Sequence, residues 1–195
     1  MVLSATRPMP NDPCGLWQEK LERNPVLQVH VAMLWAILQE FAPEQRDPIV
    51  RREMTRMFKQ SIWAVTEVKV SFKHDLRYVS AGVVAACEVH GPLRSWMRGR
   101  KPGAPKLNHE HVTTQKVLRQ HLFQATDRRQ VERILSSAEG CVVTVDEHEP
   151  LKKAAGEGWT RYASAKIAVW DRATATWRPD CGNSAVSAKA GSSSK

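Results

Sequence analysis

The sequence predicts an α+β protein in which a helical N-terminal half is followed by a smaller C-terminal half of mixed helices and strands. Three segments of the first half, near 25–41, 48–65 and 75–89, carry apolar residues at helical spacing. Each apolar stripe needs a partner surface, which favours a compact body with frayed ends. The second half contains CVVTV at 141–145, a short β-branched run typical of a buried strand.

Helix-start signals support the N-terminal elements. The dipeptides Asn24-Pro25 and Asp47-Pro48 each combine an N-cap residue with a proline suited to the first helical position. A glycine–proline pair at 91–92 predicts the end of the third helix. The segment VKVSF at 68–72 alternates in polarity, so a short strand and a continued helix both remain open. We expect Trp35 to be largely buried, and Trp63 likewise.

The C-terminal half predicts two short helices, a strand and a third helix. The first helix spans 115–123 and turns His121 towards the core, and the second spans 127–138 with Asp127 as its N-cap and Gly140 as its stop. After CVVTV, Thr144 and Glu147 have the spacing of a capping box. The segments KIAVWD at 166–171 and TATWRPD at 174–180 then predict two paired strands.

Composition divides the chain into five parts. We predict a flexible arm at 1–15, a helical region at 16–91, a basic linker at 92–108, an α+β region at 109–180 and a disordered tail at 181–195. The linker has five basic residues and no acid, so it is either solvated or a phosphate-contacting segment with Trp96 available for stacking. Its basic residues are Arg94, Arg98, Arg100, Lys101 and Lys106.

The length of apolar runs, the net charge and the spacing of the cysteines restrict the classes of protein to which the chain is expected to belong. No apolar run is long enough to cross a membrane and no secretory signal opens the chain, so we expect a cytoplasmic location and no membrane partner. The net charge of +9 favours a nucleic-acid partner. The four cysteines are scattered without a C-x-x-C motif, which disfavours zinc-ribbon and thioredoxin-type sites. Cys87 and Cys141 fall in apolar runs and are expected to be small buried hydrophobes.

Two acid–histidine pairs could carry chemistry. Glu110-His111 lies in KLNHEHVTT just before a predicted helix, and Glu147-His148 directly follows the predicted strand. Carboxylate and imidazole groups can hold a divalent metal, and imidazole can take a proton from water. Such a cluster beside a basic segment suits phosphodiester cleavage. The alternative is that both pairs are polar residues at helix starts, where glutamate is favoured by the helix dipole.

The stretches NHEHVTTQKVL, CVVTVDEHEPL and GWTRYASAKIAV together resemble bacterial nucleases of the HNH, or His-Me finger, type over about residues 106–170. The resemblance implies a metal-dependent nuclease that uses Mg²⁺ or Mn²⁺. By position it implies that His111 is the general base and that Glu110 and His148 bind the metal. Within KLNHEHVTT we therefore expect His111, rather than His109, to be the functional histidine.

Three other functions remain open from the sequence. The first is a non-catalytic, basic nucleic-acid-binding protein, such as one from a phage or another mobile element. The second is a protein-interaction module whose charge only maintains solubility. The third is a structural zinc site built from Cys141, His148, His109 and His111, although their spacing matches no standard zinc finger.

Overall fold

A computed structural model describes residues 12–14, 23–42, 44, 46–67, 76–99 and 101–181. Outside the described residues lie Arg100, the segment 68–72, residues 1–11 and 15 of the expected arm, and residues 182–195 of the expected tail. The elements in chain order are α1 (Arg23–Glu40), α2 (Pro48–Glu67), β1 (Tyr78–Ser80), α3 (Ala81–His90), α4 (Leu93–Gly99), β2 (Leu107–His111), α5 (Gln115–Gln124), α6 (Arg128–Ser136), β3 (Gly140–Thr144), α7 (Val145–Lys153), α8 (Trp159–Ser164), β4 (Val169–Asp171) and β5 (Thr176–Trp177). The α+β class is confirmed.

Contacts group these elements into two compact units that do not follow the predicted halves. A helical unit contains α1, α2, α5 and α6, and a sheet unit contains the remaining helices and the sheet. Within the described residues, the chain passes directly between the units at Glu110–His111 and at Glu139–Gly140. The first of these points lies close to the expected boundary at 108. The units do not separate near 91, because β1 and α3 of the first half belong with the later strands.

The helical unit buries one face of each of its four helices. Helix α1 packs against α2 and α6, and α5 packs against the same two helices. Asp47 caps α2 as predicted, since its Oδ1 accepts hydrogen bonds from the amides of Ile49 at 2.7 Å and Val50 at 3.1 Å. The fully buried side chains include Val31, Leu34, Phe58, Ile62, Val65, Leu118, Leu122, Val131 and Leu135.

Three details of the helical unit differ from the predictions. Helix α1 is already helical at Arg23, so Asn24 lies inside its first turn instead of capping it. His121 is exposed, because Leu122 and Leu118 occupy the inner face of α5. Trp35 and Trp63 are partly buried, and Trp35 packs against the core of the helical unit.

The sheet unit is built on a five-stranded mixed sheet with the order β2-β3-β1-β4-β5. Strand β1 pairs parallel with β3, with Tyr78 opposite Cys141, and antiparallel with β4, with Val79 opposite Trp170. Strands β4 and β5 pair antiparallel, which confirms the predicted pairing of the two last segments. Every residue of β3 is buried, as its apolar sequence predicts.

The predicted helix at 75–89 is wrong in its first part, where β1 forms. Ser80 ends the strand and caps α3, its hydroxyl accepting a hydrogen bond from the amide of Val83. Because β1 lies between two partner strands, its backbone groups are satisfied by the sheet. A three-residue strand is too short to show an alternation of period two, so the helical spacing dominated the sequence pattern.

The predicted linker at 92–108 is instead partly ordered structure. Its first part forms α4, in which Leu93 and Trp96 are each 1% exposed, and its last residues begin β2. Trp96 is therefore part of the apolar core of the sheet unit and is not available to stack on a nucleobase. Gly91, with a φ of 86°, ends α3 as predicted.

The predicted arm is fixed at its end by buried contacts. The carboxylate of Asp12 accepts a hydrogen bond from Arg172 Nε at 2.7 Å, and both side chains are 2% exposed. Asp12 also accepts from the amide of Cys14, which packs in the apolar core of the sheet unit. Cys87 and Cys141 are buried as predicted.

Candidate acid–base site on the sheet unit

The edge of the sheet brings the start of α7 beside β2. Strand β3 ends at Thr144 and α7 begins at the next residue, so no loop separates strand from helix. Strand β2 is the neighbour of β3, and the amide of Val145 donates to the carbonyl of Lys106 at 2.9 Å. A side chain from the first turns of α7 can therefore reach the face of β2 that carries Glu110.

Glu110 and His148 lie in direct contact, and Arg161 completes the cluster. Glu110 Oε2 is 2.7 Å from His148 Nδ1, and Glu110 Oε1 accepts a hydrogen bond from Arg161 at 2.9 Å. The side chains of His148, Glu110 and Arg161 are 23%, 14% and 6% exposed. The contact of His148 Nδ1 with Glu110 is a close charge–charge approach without the alignment of a hydrogen bond. No hydrogen bond from the described residues reaches His148 Nε2. The carboxylate thus lies against one ring nitrogen of the imidazole, and the described residues leave the other for a ligand.

Glu147 has a structural role in the same helix turn. Its carboxylate accepts from the hydroxyl of Ser80, from the amide of Gly82 at 2.8 Å, and from the amide of Thr144 at 3.0 Å. The predicted capping box of Thr144 and Glu147 is confirmed. Glu147 therefore joins the helix starts that follow the parallel strands β1 and β3, and this bracing fixes the turn from which His148 projects.

His111 belongs to the helical unit, although it adjoins Glu110 in the chain. It is 6% exposed, and its ring lies edge-on against Trp63 at a centroid distance of 4.5 Å. Its Nε2 lies 2.6 Å from the side-chain nitrogen of Gln115. One ring nitrogen of His111 is thus already bonded within the helical unit.

The donors of the cluster do not fit a divalent-metal centre. Both oxygens of Glu110 are engaged, one by His148 and the other by the permanently charged guanidinium of Arg161. A cation so close to the carboxylate opposes binding of Mg²⁺ or Mn²⁺. No group of three or more histidine, cysteine, aspartate and glutamate side chains that could hold a metal occurs in the part of the chain that the structure describes. The expected zinc site of four residues would be such a group, whereas the expected pair of Glu110 and His148 has fewer members than three.

Two buried side chains influenced by the charge of Glu110, those of Tyr162 and Cys141, ionise less readily than usual. Burial raises the pKa of Tyr162 and the pKa of Cys141, and the charge of Glu110 adds to both shifts. Both groups therefore stay protonated near neutral pH. A thiolate nucleophile at Cys141 is excluded, since this side chain is also fully buried.

The predicted basic contacts are placed on several elements. Arg94 lies in α4 and is exposed, as are Lys101 and Lys106 in the segment that leads to β2. Lys101 donates to the carbonyl of His90 at 2.7 Å, near the end of α3. Arg98 also lies in α4. These positions form part of the sheet unit, as does the Glu110 cluster.

Sequence reasoning missed Arg161, the third member of the cluster. It occurs in GWTRY, where a basic residue beside two aromatic residues indicates an ordinary amphipathic helix. Its near-complete burial is the signal that it has a partner, because arginine is almost never buried unpaired. The burial of Arg161 could not be predicted from the sequence, because its partner Glu110 lies 51 positions away in the chain.

Comparison of the chain with protein-family models, with curated proteins and with solved structures finds no match. Within the described residues, none of the helices is both long enough and apolar enough to span a membrane.

Proposed function

We propose that this protein is a nuclease that cleaves phosphodiester bonds, with His148 as its general base. The observation that carries the proposal is the contact of 2.7 Å between Glu110 and His148 Nδ1. A carboxylate on one ring nitrogen holds the imidazole in place and stabilises the cation that forms when the other nitrogen takes a proton. The net charge of +9 supports a polyanionic substrate.

The cluster suggests a defined proton movement. His148 Nε2 takes a proton from a water molecule, whose oxygen attacks phosphorus while the bond from phosphorus to the leaving sugar oxygen breaks. Solvent protonates the leaving oxygen, and the imidazolium returns its proton to water. Glu110 offsets the positive charge on His148 during the step, and the hydrogen bond from Arg161 holds Glu110 in position.

This proposal moves the base from His111 to His148. His148 is the more exposed of the two, and no hydrogen bond from the described residues reaches its Nε2. The metal-dependent form of the proposal requires Glu110 to release Arg161 or His148 before it can bind a cation. The cleavage assay therefore compares activity with and without a divalent metal.

The test is a cleavage assay on end-labelled single- and double-stranded DNA and RNA, run with Mg²⁺, with Mn²⁺ and with a chelator. We expect His148→Ala to lower kcat by about 100- to 10,000-fold, the usual contribution of a general base. Glu110→Gln should lower kcat less, at a nearly unchanged KM, since it removes only orientation and charge. His121→Ala, on the exposed face of α5, is the matched control and should keep full activity.

Two outcomes would overturn the proposal. If the parent protein cleaves none of the substrates under any of the three conditions, it is not a nuclease of this kind. If it cleaves and His148→Ala is as active as His121→Ala, the chemistry lies elsewhere on the chain.

A second candidate function is nucleic-acid binding without cleavage, which the exposed Arg94, Lys101 and Lys106 favour. Contacts from these side chains would be with phosphates, so affinity should fall steeply with salt. Replacing all three by glutamine should reduce the slope of log affinity against log salt by about 3 for double-stranded DNA. An unchanged slope would place the binding surface elsewhere.

A further inference from the structure

Helix α1 exposes a largely apolar face opposite its buried one. Its inner face carries Leu27, Val31, Leu34 and Leu38, which lie in the core of the helical unit. Its outer face has an exposed stripe at the spacing i, i+4, i+7, i+8, i+11 and i+15, which we call the outer stripe. The members of the outer stripe are Pro25, Val29, Ala32, Met33, Ala36 and Glu40.

The outer stripe is unusual for a helix on the surface of a protein. Val29 is 64% exposed and Met33 is 36% exposed, and no charge occurs along the stripe before Glu40. An amphipathic surface helix normally places charged residues at these positions, whereas a helix that is apolar all round is normally buried. A second surface is therefore expected to cover this face.

The order of side-chain sizes along the outer stripe makes it complementary to itself. From N- to C-terminus the stripe reads large, small, large, small at Val29, Ala32, Met33 and Ala36. When a second copy of the helix is laid antiparallel, with the two-fold axis between Ala32 and Met33, the order reverses. Val29 then faces Ala36 of the partner subunit, and Met33 faces Ala32 of the partner subunit, so each large side chain meets a small one.

The charges of α1 favour the same antiparallel arrangement. The first turn of α1 contains no acidic residue and the last turn contains no basic residue, so neither end of its dipole is neutralised by its own side chains. Glu40 lies at the negative end of its own helix, which is unfavourable. In the antiparallel pair it lies opposite Pro25 of the partner subunit, beside the positive end of that helix.

We propose that the outer stripe is the interface of a homodimer in which two α1 helices pack antiparallel. The stripe is about 22 Å long, at 1.5 Å of rise per residue. A single helix pair of this length is at the low end of specific interfaces, so the dissociation constant should be on the order of micromolar and not nanomolar. The dimer is independent of the proposed nuclease activity.

Sedimentation velocity of the full chain, from about 1 to 500 µM, tests the proposal, a range that brackets a micromolar dissociation constant. The parent protein should pass from monomer to dimer across this range. Met33→Glu should raise the dissociation constant by about 100-fold or more, because it places two carboxylates next to the two-fold axis. Gln60→Glu, an exposed site on α2, introduces the same charge off the interface and should leave the dissociation constant unchanged.

An exchange of sizes tests the antiparallel register. Val29→Ala should weaken the dimer by about tenfold, because each interface loses two contacts of a branched side chain. Adding Ala36→Val to that variant should restore the affinity, since the larger side chain introduced by Ala36→Val would then face the smaller one left by Val29→Ala in the second copy. Glu40→Lys should weaken the dimer by about 3- to 30-fold at low salt, from two lost helix-dipole contacts.

Different outcomes of these experiments would refute the dimer interface and the antiparallel register. A parent protein that stays monomeric over the whole concentration range overturns the proposal. A dimer that survives Met33→Glu has its interface elsewhere and overturns it too. A dimer that is lost with Met33→Glu but not restored by the size exchange would refute the antiparallel register.

Discussion

The buried ion pair of Asp12 and Arg172 predicts that a few residues near the N-terminus stabilise the whole sheet unit. Both side chains are 2% exposed, and Arg172 also donates to the carbonyl of Leu76 at 3.1 Å, just before β1. The pair therefore joins the segment at 12–14 to the strand at the centre of the sheet and to the residue after β4. Asp12→Ala removes the carboxylate and leaves the guanidinium buried.

The size of the effect follows from burial. Removing one partner of a buried ion pair leaves an uncompensated charge and typically costs about 3–5 kcal/mol. The pair of Glu149 and Lys152, with side chains 56% and 52% exposed, should contribute little, because solvent screens an exposed ion pair. Asp12→Ala should therefore lower the free energy of unfolding by several times as much as Glu149→Ala.

The assay is urea unfolding followed by tryptophan fluorescence, because Trp170 and Trp177 pack against the apolar core of the sheet unit. If the two units unfold in separate transitions, only the transition of the sheet unit should move. The double variant Asp12→Ala with Arg172→Met should be less destabilised than Asp12→Ala alone, because it has no unpaired guanidinium in the interior. Equal destabilisation by Asp12→Ala and Glu149→Ala would refute the reasoning, as would a double variant that is worse than the sum of its parts.

Two further predictions concern the sheet unit. A Cβ at Gly82 would lie 2.8 Å from the carboxylate atoms of Glu147. Gly82→Ala should therefore destabilise the protein by about 1–3 kcal/mol in urea unfolding, although alanine normally stabilises a helix relative to glycine. A stabilised variant would contradict this prediction. For Asp171, burial acts to raise the pKa, but two hydrogen bonds from Arg77 outweigh it and the pKa is lowered. The stabilisation by ionised Asp171 is present above its unfolded-state pKa near 4 and is lost as pH falls through its lower folded-state pKa. The unfolding free energy of Asp171→Asn should therefore fall less steeply below about pH 4 than that of the parent protein. An equally steep fall in the two proteins would count against this prediction.

Local signals in the sequence were sufficient for most helices and for β3. Caps act within three or four residues, so Asp47, Asp127 and the Thr144–Glu147 box could be identified from spacing alone. Strand β1 and the grouping of elements could not be identified, because they depend on pairing between residues about 60 positions apart. Tertiary hydrogen bonds there overrode a helical pattern that continued through the strand.

The candidate site shows the same division between local and distant causes. Glu110 and His148 were each identifiable because an acid next to a histidine stands beside a strand or helix start, and the pairing of β2 with β3 brings them to 2.7 Å. The sequence could not show which neighbour of Glu110 would share its site, because successive residues of a strand point to opposite faces. Glu110 points to the face where α7 and α8 supply His148 and Arg161, and His111 packs with Trp63 in the helical unit. For this reason we propose His148, 38 positions from Glu110, as the general base instead of the adjacent His111.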